Sequence, residues 1–263
     1  MFGREMRINL KGFLLWTLAL ALVFGGIVLA YPYMIGEGLA ESLDAMMAAF
    51  PQEILRAFNM DVASISVASG WIKSEGMTLY VLAAALYAAS LGANILLKER
   101  SERTLEAIWA LPVSRAGIVL AHFVPGLIYI VLQHGIVMAA VAGSLALQND
   151  FAAQEMLPVL ASPLIATVSV YALCFALSTL FSRTGPMQAI GFAGVLLSYL
   201  LQIVSRMGEK MELLGRVSIF ALCDVRAILE RGAISVQEIG AGVLITLVSL
   251  AFALFVFDRR QLV

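Results

Sequence analysis

Charged residues are scarce in this chain, and their scarcity is the first constraint on its class. Only 13% of its 263 residues are Asp, Glu, Lys or Arg, whereas 61% are hydrophobic. Soluble domains carry about 25% charged and about 45–50% apolar residues, so the composition excludes an ordinary soluble fold. The mean hydropathy of +0.93 indicates an integral membrane protein instead.

Cysteine and excess basic charge are also lacking. Cys174 falls in an apolar run and Cys223 in a polar connection, and two cysteines so placed predict neither a disulfide framework nor a metal cage. The 17 basic and 18 acidic residues give a net charge of -1. Because such a balance offers no electrostatic footprint for nucleic acid, we expect no nucleic-acid partner.

Motifs for nucleotide chemistry and catalysis are missing from the sequence as well. It contains no Gly-x-x-x-x-Gly-Lys-Ser/Thr and no Gly-x-Gly-x-x-Gly opening a helix after a strand. His122 and His134 lie about 120° apart around one predicted helix, so they cannot share a metal ion. We expect His134, beside Gln133, to form an interhelical hydrogen bond. No catalytic triad or intramembrane carboxylate pair can be assembled, so we expect no catalytic, cofactor-binding or metal-binding residues.

Six long intervals without Asp, Glu, Lys or Arg are the dominant feature of what is present. Each is continuously apolar rather than alternating, which predicts helices and not strands. A membrane span needs about 20 such residues. We therefore predict an all-α integral membrane protein, with one transmembrane domain over residues 1–263 and no nucleotide-binding domain. The predicted spans are about 13–35, 77–97, 117–143, 158–182, 185–204 and 239–257.

Small residues recur at four-residue spacing in two of these spans. Such spacing lets helix backbones approach closely, so we interpret it as packing. The residues are Ala84, Ala88 and Gly92 in the second span, and Gly135, Ala139 and Gly143 in the third.

The N-terminal segment predicts an interfacial helix before the first span. Apolar and basic residues fall on opposite faces at helical spacing. We expect the basic face to anchor the helix to anionic lipid; an ordinary positive flank without helical order is the alternative. The apolar face comprises Phe2, Met6, Leu10 and Phe13, and the basic face comprises Arg4, Arg7 and Lys11.

The distribution of charge over the connections predicts the topology. Basic residues concentrate at both termini, between spans 2 and 3, and after span 4, which places both termini in the cytoplasm. Connections 36–75 and 144–157 are acidic and are expected outside. Connection 205–238 does not fit the rule, because it contains five basic residues. Its apolar stretch Ser218 to Cys223 is too short to cross the membrane.

The connection between spans 2 and 3 predicts a short amphipathic helix. Three glutamates recur at i, i+3 and i+7, and an apolar patch with a tryptophan precedes Pro112, which interrupts the helix. An apolar patch with tryptophan on a cytoplasmic loop suggests docking of a soluble partner. From periodicity alone, an interfacial or merely solvated loop is the alternative.

The sequence of this connection resembles a motif of a known family. Arg103 to Glu106 reads Arg-Thr-Leu-Glu and Leu111 to Arg115 reads Leu-Pro-Val-Ser-Arg, which resembles the permease subunits of bacterial ABC transporters of the ABC-2 exporter family. The chain has Arg103 where that family usually has glycine. It has His122 where a lysine commonly starts the third span, and Gln261 where an acidic residue is usual near the end. The resemblance also implies short helices that dip back into the membrane before the last span, so we expect Ser218 to Cys223 to form such a re-entrant helix or a plain surface helix.

The resemblance implies the membrane-spanning subunit of an ATP-driven exporter, a multi-pass protein of the bacterial cytoplasmic membrane that forms half of a translocation pathway. The expected partners are two copies of an ATPase subunit, a second permease chain in a homodimer or heterodimer, and membrane lipids. ATP and Mg would bind to the ATPase, and no cofactor to this chain. The alternatives are a membrane scaffold or assembly subunit and an intramembrane lipid- or peptide-processing enzyme. The residues expected to couple to the ATPase are Glu99, Glu102, Thr104, Leu105, Glu106, Ile108, Trp109, Pro112 and Arg115.

The family resemblance does not select a substrate. The predicted spans contain only scattered polar side chains, which favours an amphipathic or lipid-like solute over a hydrophilic polymer. These are Asn94, Gln133, His134, Gln188 and Gln202.

Overall fold

Six long helices make up most of the protein. The computed structural model describes residues 2–34, 51, 54–55, 67–97, 114–207 and 211–259, and this part contains no β-strand. Each of the six is long and apolar enough to cross a membrane, which confirms the predicted all-α membrane fold. In chain order they are α1 (Phe2–Met34), α2 (Ala68–Ile95), α3 (Arg115–Leu147), α4 (Ala153–Ser178), α5 (Thr184–Ser205) and, after two short helices, α8 (Val236–Arg259).

The first helix is longer than the predicted span, because the predicted N-terminal segment is continuous with it. Its 33 residues rise about 50 Å, more than the hydrocarbon core of about 30 Å, so its ends must project. A π-helical turn at Ala21–Gly25 interrupts α1, and another at Ile72–Gly76 interrupts α2. The hydrogen-bond pattern of α4 is interrupted at Ser162, because Pro163 cannot donate a backbone hydrogen bond.

The centre of the bundle is the packed pair α2 and α4. In the most apolar 18-residue stretch of each helix, 67% of α2 and 72% of α4 is buried, against 22% of α5 and 17% of α8. Ala84, Ala88 and Gly92 are buried on α2, as their spacing predicts. A side chain at Gly92 would lie 2.6 Å from the Tyr171 carbonyl oxygen, so glycine permits the close approach of α2 to α4.

The α1 and α3 helices pack side by side and point the same way along the bundle. The rings of Phe13 and Tyr129 stack with centroids 4.6 Å apart, and further along Gln148 Nε2 donates to the Val28 carbonyl at 2.6 Å. We call the end of the bundle where α1 begins and α8 ends the terminal end, and the opposite end the distal end.

Tyr80 on α2 bonds to His134 Nδ1 on α3 at 3.0 Å, which confirms the interhelical role predicted for His134.

Polar contacts fasten the start of α2 to the α3–α4 connection at the distal end. The Asp150 carboxylate accepts the Ser69 backbone N–H at 2.8 Å and the Ser69 hydroxyl at 2.7 Å. One turn further along α2, Lys73 Nζ lies 2.6 Å from Glu155 Oε2 at the start of α4. Charged and hydrogen-bonded groups therefore join the start of α2 both to the α3–α4 connection and to α4 at this end.

The connection between α5 and α8 folds back along α5. It contains α6 (Glu212–Gly215), a 3₁₀ helix (Ile219–Cys223) and α7 (Val225–Arg231). The Ser218 hydroxyl donates to the Ser198 carbonyl, and the Ile219 N–H donates to the Ser198 hydroxyl, each at 2.8 Å. Ser198 lies seven residues, about 10 Å, before the end of α5 at Ser205. This depth favours the re-entrant alternative over a plain surface helix.

Ion pairs account for part of the basic charge that conflicts with the topology rule in this connection. Arg206 Nη2 lies 3.3 Å from Asp224 Oδ2, and Arg231 Nη2 lies 2.6 Å from Glu238 Oε1. Gln202 Nε2 also donates to Asp224, at 3.2 Å. Two of the five basic residues are therefore paired with a carboxylate. This pairing lowers the free-energy cost of placing them on the outer side, where the acidic connections are expected.

Candidate functional site

The predicted coupling segment joins α2 to α3 at the terminal end. Its two flanks are described: α2 is helical through Ile95, and Ser114 caps α3, where its hydroxyl accepts the Gly117 N–H at 3.1 Å. Arg115 Nη1 donates to the Asp258 carbonyl, which joins the start of α3 to the end of α8. The remaining predicted coupling residues lie outside the described residues; they are Glu99, Glu102, Thr104, Leu105, Glu106, Ile108, Trp109 and Pro112.

The predicted membrane anchor lies on the exposed side of α1. Arg4, Arg7 and Lys11 are all exposed. Of the predicted apolar face, Phe2 and Leu10 are 45% and 42% exposed, as contact with lipid would require, whereas Phe13 is buried. Glu5 and Thr17 of the same helix are also buried.

Glu5 is a buried carboxylate that sequence reasoning missed. It is 3% exposed, it accepts a hydrogen bond from Asn9 Nδ2 at 3.3 Å, and its Oε1 lies 4.0 Å from His122 Nε2 on α3. His122 Nδ1 donates to the Ile118 carbonyl at 2.7 Å, so its other nitrogen faces the carboxylate. The signal in the sequence is the four-residue spacing of Glu5, Asn9 and Phe13, which places them on one helical face.

A cleft of about 410 Å³ opens between α1, α2 and α5 near the terminal end. We call it the terminal cleft. Its volume falls within the range of about 300–1,000 Å³ that is typical of small-molecule sites. Its wall is a mixture of amide, hydroxyl and aromatic groups and includes Asn9, Trp16, Tyr87, Ser90, Asn94 and Thr184.

Hydrogen bonds organise the polar side of this cleft around Ser90. Its hydroxyl accepts Gln188 Nε2 from α5 at 2.9 Å, and its carbonyl accepts Asn94 Nδ2 at 2.8 Å. Tyr87, whose ring lies 5.7 Å from that of Trp16, is 4% exposed, and its hydroxyl has no hydrogen-bond partner among the described residues. An unpaired buried hydroxyl costs about 1–3 kcal/mol, and because this oxygen is buried, the polar groups open to the cleft are those of its other wall residues.

The cleft collects only some of the polar residues that the sequence scatters over the spans. Asn94 and Gln188 meet there through Ser90, whereas Gln202 lies at the distal end and His134 pairs with Tyr80. Gln133 Nε2 is buried without a hydrogen-bond partner in the described part of the chain. That part also contains no cluster of three or more His, Cys, Asp or Glu residues able to hold a metal ion. The wall of the terminal cleft therefore offers neutral amide, hydroxyl and aromatic groups.

Comparison with known proteins identifies a family. A family model described as ABC-2 family transporter protein matches residues 1–262. The match spans every helix described above, the coupling segment and the terminal cleft. No curated protein and no solved structure matches the chain.

Proposed function

We propose that this chain, which belongs to the ABC-2 family of transporter proteins, is the membrane-spanning subunit of an ATP-driven exporter. Family membership supports a transport permease rather than an enzyme. We assign ATP hydrolysis to a separate ATPase subunit, because the sequence contains no P-loop. ATP and Mg would bind to that subunit.

The observation that carries this proposal is the continuity of α2 from the coupling segment to the cleft wall. Tyr87, Ser90 and Asn94 all lie within ten residues of Leu97, the last described residue before the segment. That distance is about 15 Å along a helix. Because the helix is unbroken from Met77 to Ile95, a displacement of its terminal end moves the cleft wall with it.

The other flank extends the same displacement to two more helices. Arg115 begins α3 and donates to the carbonyl of Asp258 near the end of α8. A movement of the coupling segment is thereby transmitted to α2, α3 and α8 together. The driving force is the difference in contacts that the closed and open ATPase make with this segment.

We assign separate roles to the two chemical faces of the coupling segment. Glu99, Glu102 and Glu106 pair with basic groups of the ATPase, while Leu105, Ile108 and Trp109 fill an apolar groove on it. Thr104, Pro112 and Arg115 hold the segment in place. These assignments rest on the sequence pattern and on the family.

The full transporter requires more than one copy of each subunit under this proposal. Two permease chains, identical or related, face each other beside the terminal cleft, where α1 and α5 expose much of their surface, and two ATPase copies bind beneath them. The protein lies in the bacterial cytoplasmic membrane with both termini in the cytoplasm. Arg4, Arg7 and Lys11, which are exposed, contact lipid phosphate there.

Substitution of the coupling segment tests the proposal. Trp109→Ala and Glu106→Lys should abolish ATPase co-purification and transport-linked ATP hydrolysis, while the chain remains inserted in the membrane. The matched control is Glu230→Lys, a charge reversal at an exposed glutamate of α7 near the distal end, which should leave both readouts unchanged. Normal coupling in both segment variants would refute the docking assignment. Purification of the native chain with no ATPase would instead favour the scaffold or enzyme alternative.

A further inference from the structure

A second cavity, of about 610 Å³, lies between α4, α5 and α8. We call it the lateral groove. The segment that contains Ser218 and Ile219 lines its distal part. Along α8 the groove extends from Gln237 to Ile245, eight residues or about 12 Å. It is therefore an elongated cavity that follows the helix axes.

The floor of the lateral groove is apolar and uncovered. Leu173 and Leu177 line it from α4 and are 39% and 37% exposed. Exposure of this size is unexpected on α4, since 72% of its most apolar 18-residue stretch is buried. In a bilayer, an elongated apolar cavity of this kind is filled by a hydrocarbon chain, since no polar solvent is available to it.

The distal mouth of the groove has an excess of positive charge. The Arg216 side chain is exposed there and makes no hydrogen bond or ion pair with the other described residues. Glu238, the acidic residue at the mouth, is already engaged: its carboxylate accepts Arg231 Nη2 at 2.6 Å and the Ser235 N–H at 2.9 Å. Among the described residues, the mouth therefore presents one guanidinium without an acidic partner, which complements an anion.

We propose that the lateral groove binds one acyl chain of an anionic membrane phospholipid, with the phosphate of that lipid held by Arg216. A guanidinium can form two parallel hydrogen bonds to a phosphate group. The apolar cavity fits the chain, and the positive mouth lies at the end of the helices, where a headgroup would be. The site is independent of the ATPase, so it remains even if the exporter proposal fails.

Photo-crosslinking in vesicles tests this site directly. The purified chain is reconstituted with trace phosphatidylglycerol or phosphatidylcholine, each with a diazirine in one acyl chain, and labelled peptides are quantified by mass spectrometry. We expect labelling on groove peptides of α4 and α8 to be about fivefold greater with phosphatidylglycerol, which corresponds to about 1 kcal/mol for one basic residue near anionic lipid. Arg216→Gln should remove that preference. Arg183→Gln, an exposed arginine next to the opposite end of α5, should not.

A second pair of variants separates the groove from ordinary lipid contact. A side chain at Gly194, which lines the groove, would meet no atom within 4 Å, so Gly194→Leu can fill the cavity without a clash. It should reduce groove labelling with both lipids. Gly135→Leu, on an exposed face of α3 that is equally open, should not. Unchanged labelling in Gly194→Leu, equal labelling by the two lipids in the unmodified chain, or crosslinks from groove residues to a second copy of the chain would each overturn the proposal.

Discussion

Replacing Gly92 by alanine tests the close contact on which the α2–α4 pair depends. The added Cβ would lie 2.6 Å from the Tyr171 carbonyl oxygen and 3.0 Å from the Phe175 backbone nitrogen. Both neighbours are main-chain atoms of a buried helix, so neither can rotate away. Overpacking of this kind costs about 1–3 kcal/mol, and we expect the upper half of that range. Helix propensity returns about 0.5–1 kcal/mol, which leaves a net loss of roughly 2 kcal/mol.

The measurement is the apparent melting temperature of the detergent-purified chain, followed by size-exclusion chromatography after heating. A loss of 1 kcal/mol lowers the melting temperature by roughly 2–4 °C in a chain of about this size, so we expect a decrease of about 4–8 °C. The control is Gly135→Ala, whose Cβ would meet no atom within 4 Å and which should be neutral or slightly stabilising. A Gly92→Ala chain that melts at or above the unmodified temperature would refute the packing argument.

Two further predictions concern the distal end. Asp150→Ala should lower the free energy of unfolding by about 1–3 kcal/mol. Ser69→Ala should lower it by less, because the backbone N–H of residue 69 still donates to the Asp150 carboxylate at 2.8 Å. Denaturant titration measures both losses, and equal losses would contradict this account. Burial raises the pKa of the Cys223 thiol, and the neighbouring Asp224 carboxylate raises it further. The thiol therefore stays protonated at neutral pH. We expect N-ethylmaleimide to modify Cys223 slowly from pH about 7 to about 9, where a thiol of ordinary pKa becomes thiolate. Rapid labelling in peptide-resolved mass spectrometry would show that the thiol is accessible.

Hydropathy predicted the spans because a helix in a bilayer must be apolar whatever it packs against. The helices extend beyond the predicted spans in particular places. The α2 helix begins at Ala68, before the predicted span at about 77, and includes Lys73; α4 begins at Ala153, before the predicted span at about 158, and includes Glu155. An interval defined by absence of charge ends at the first charged residue, whereas a helix can extend beyond the hydrocarbon region and pair its charges there, as these two do.

Packing and the candidate site were less predictable, since one sequence pattern can face different surroundings. The small residues of α2 are buried as expected, but Gly135, Ala139 and Gly143 lie on an exposed face of α3. This second stripe therefore packs against no helix in the described part of this chain, and packing against another chain stays a prediction. Asn94 and Gln188 converge on Ser90 across two helices that are far apart in the sequence, and no periodicity within either helix signals that encounter.

The distal fastening and the Gly92 contact together constrain how the proposed coupling can act. Because Asp150 and Glu155 hold the start of α2, a force on its terminal end produces a tilt about the distal end rather than a translation. Displacement grows with distance from the fastened end: Asn94 lies 25 residues beyond Ser69, about 38 Å along the helix, so a tilt of about 5° moves it by about 3 Å. The close contact at Gly92 makes α4 follow α2. Under the proposed coupling, the α2–α4 pair therefore tilts as one unit, and the terminal cleft, which α1, α2 and α5 enclose, is the space whose width changes.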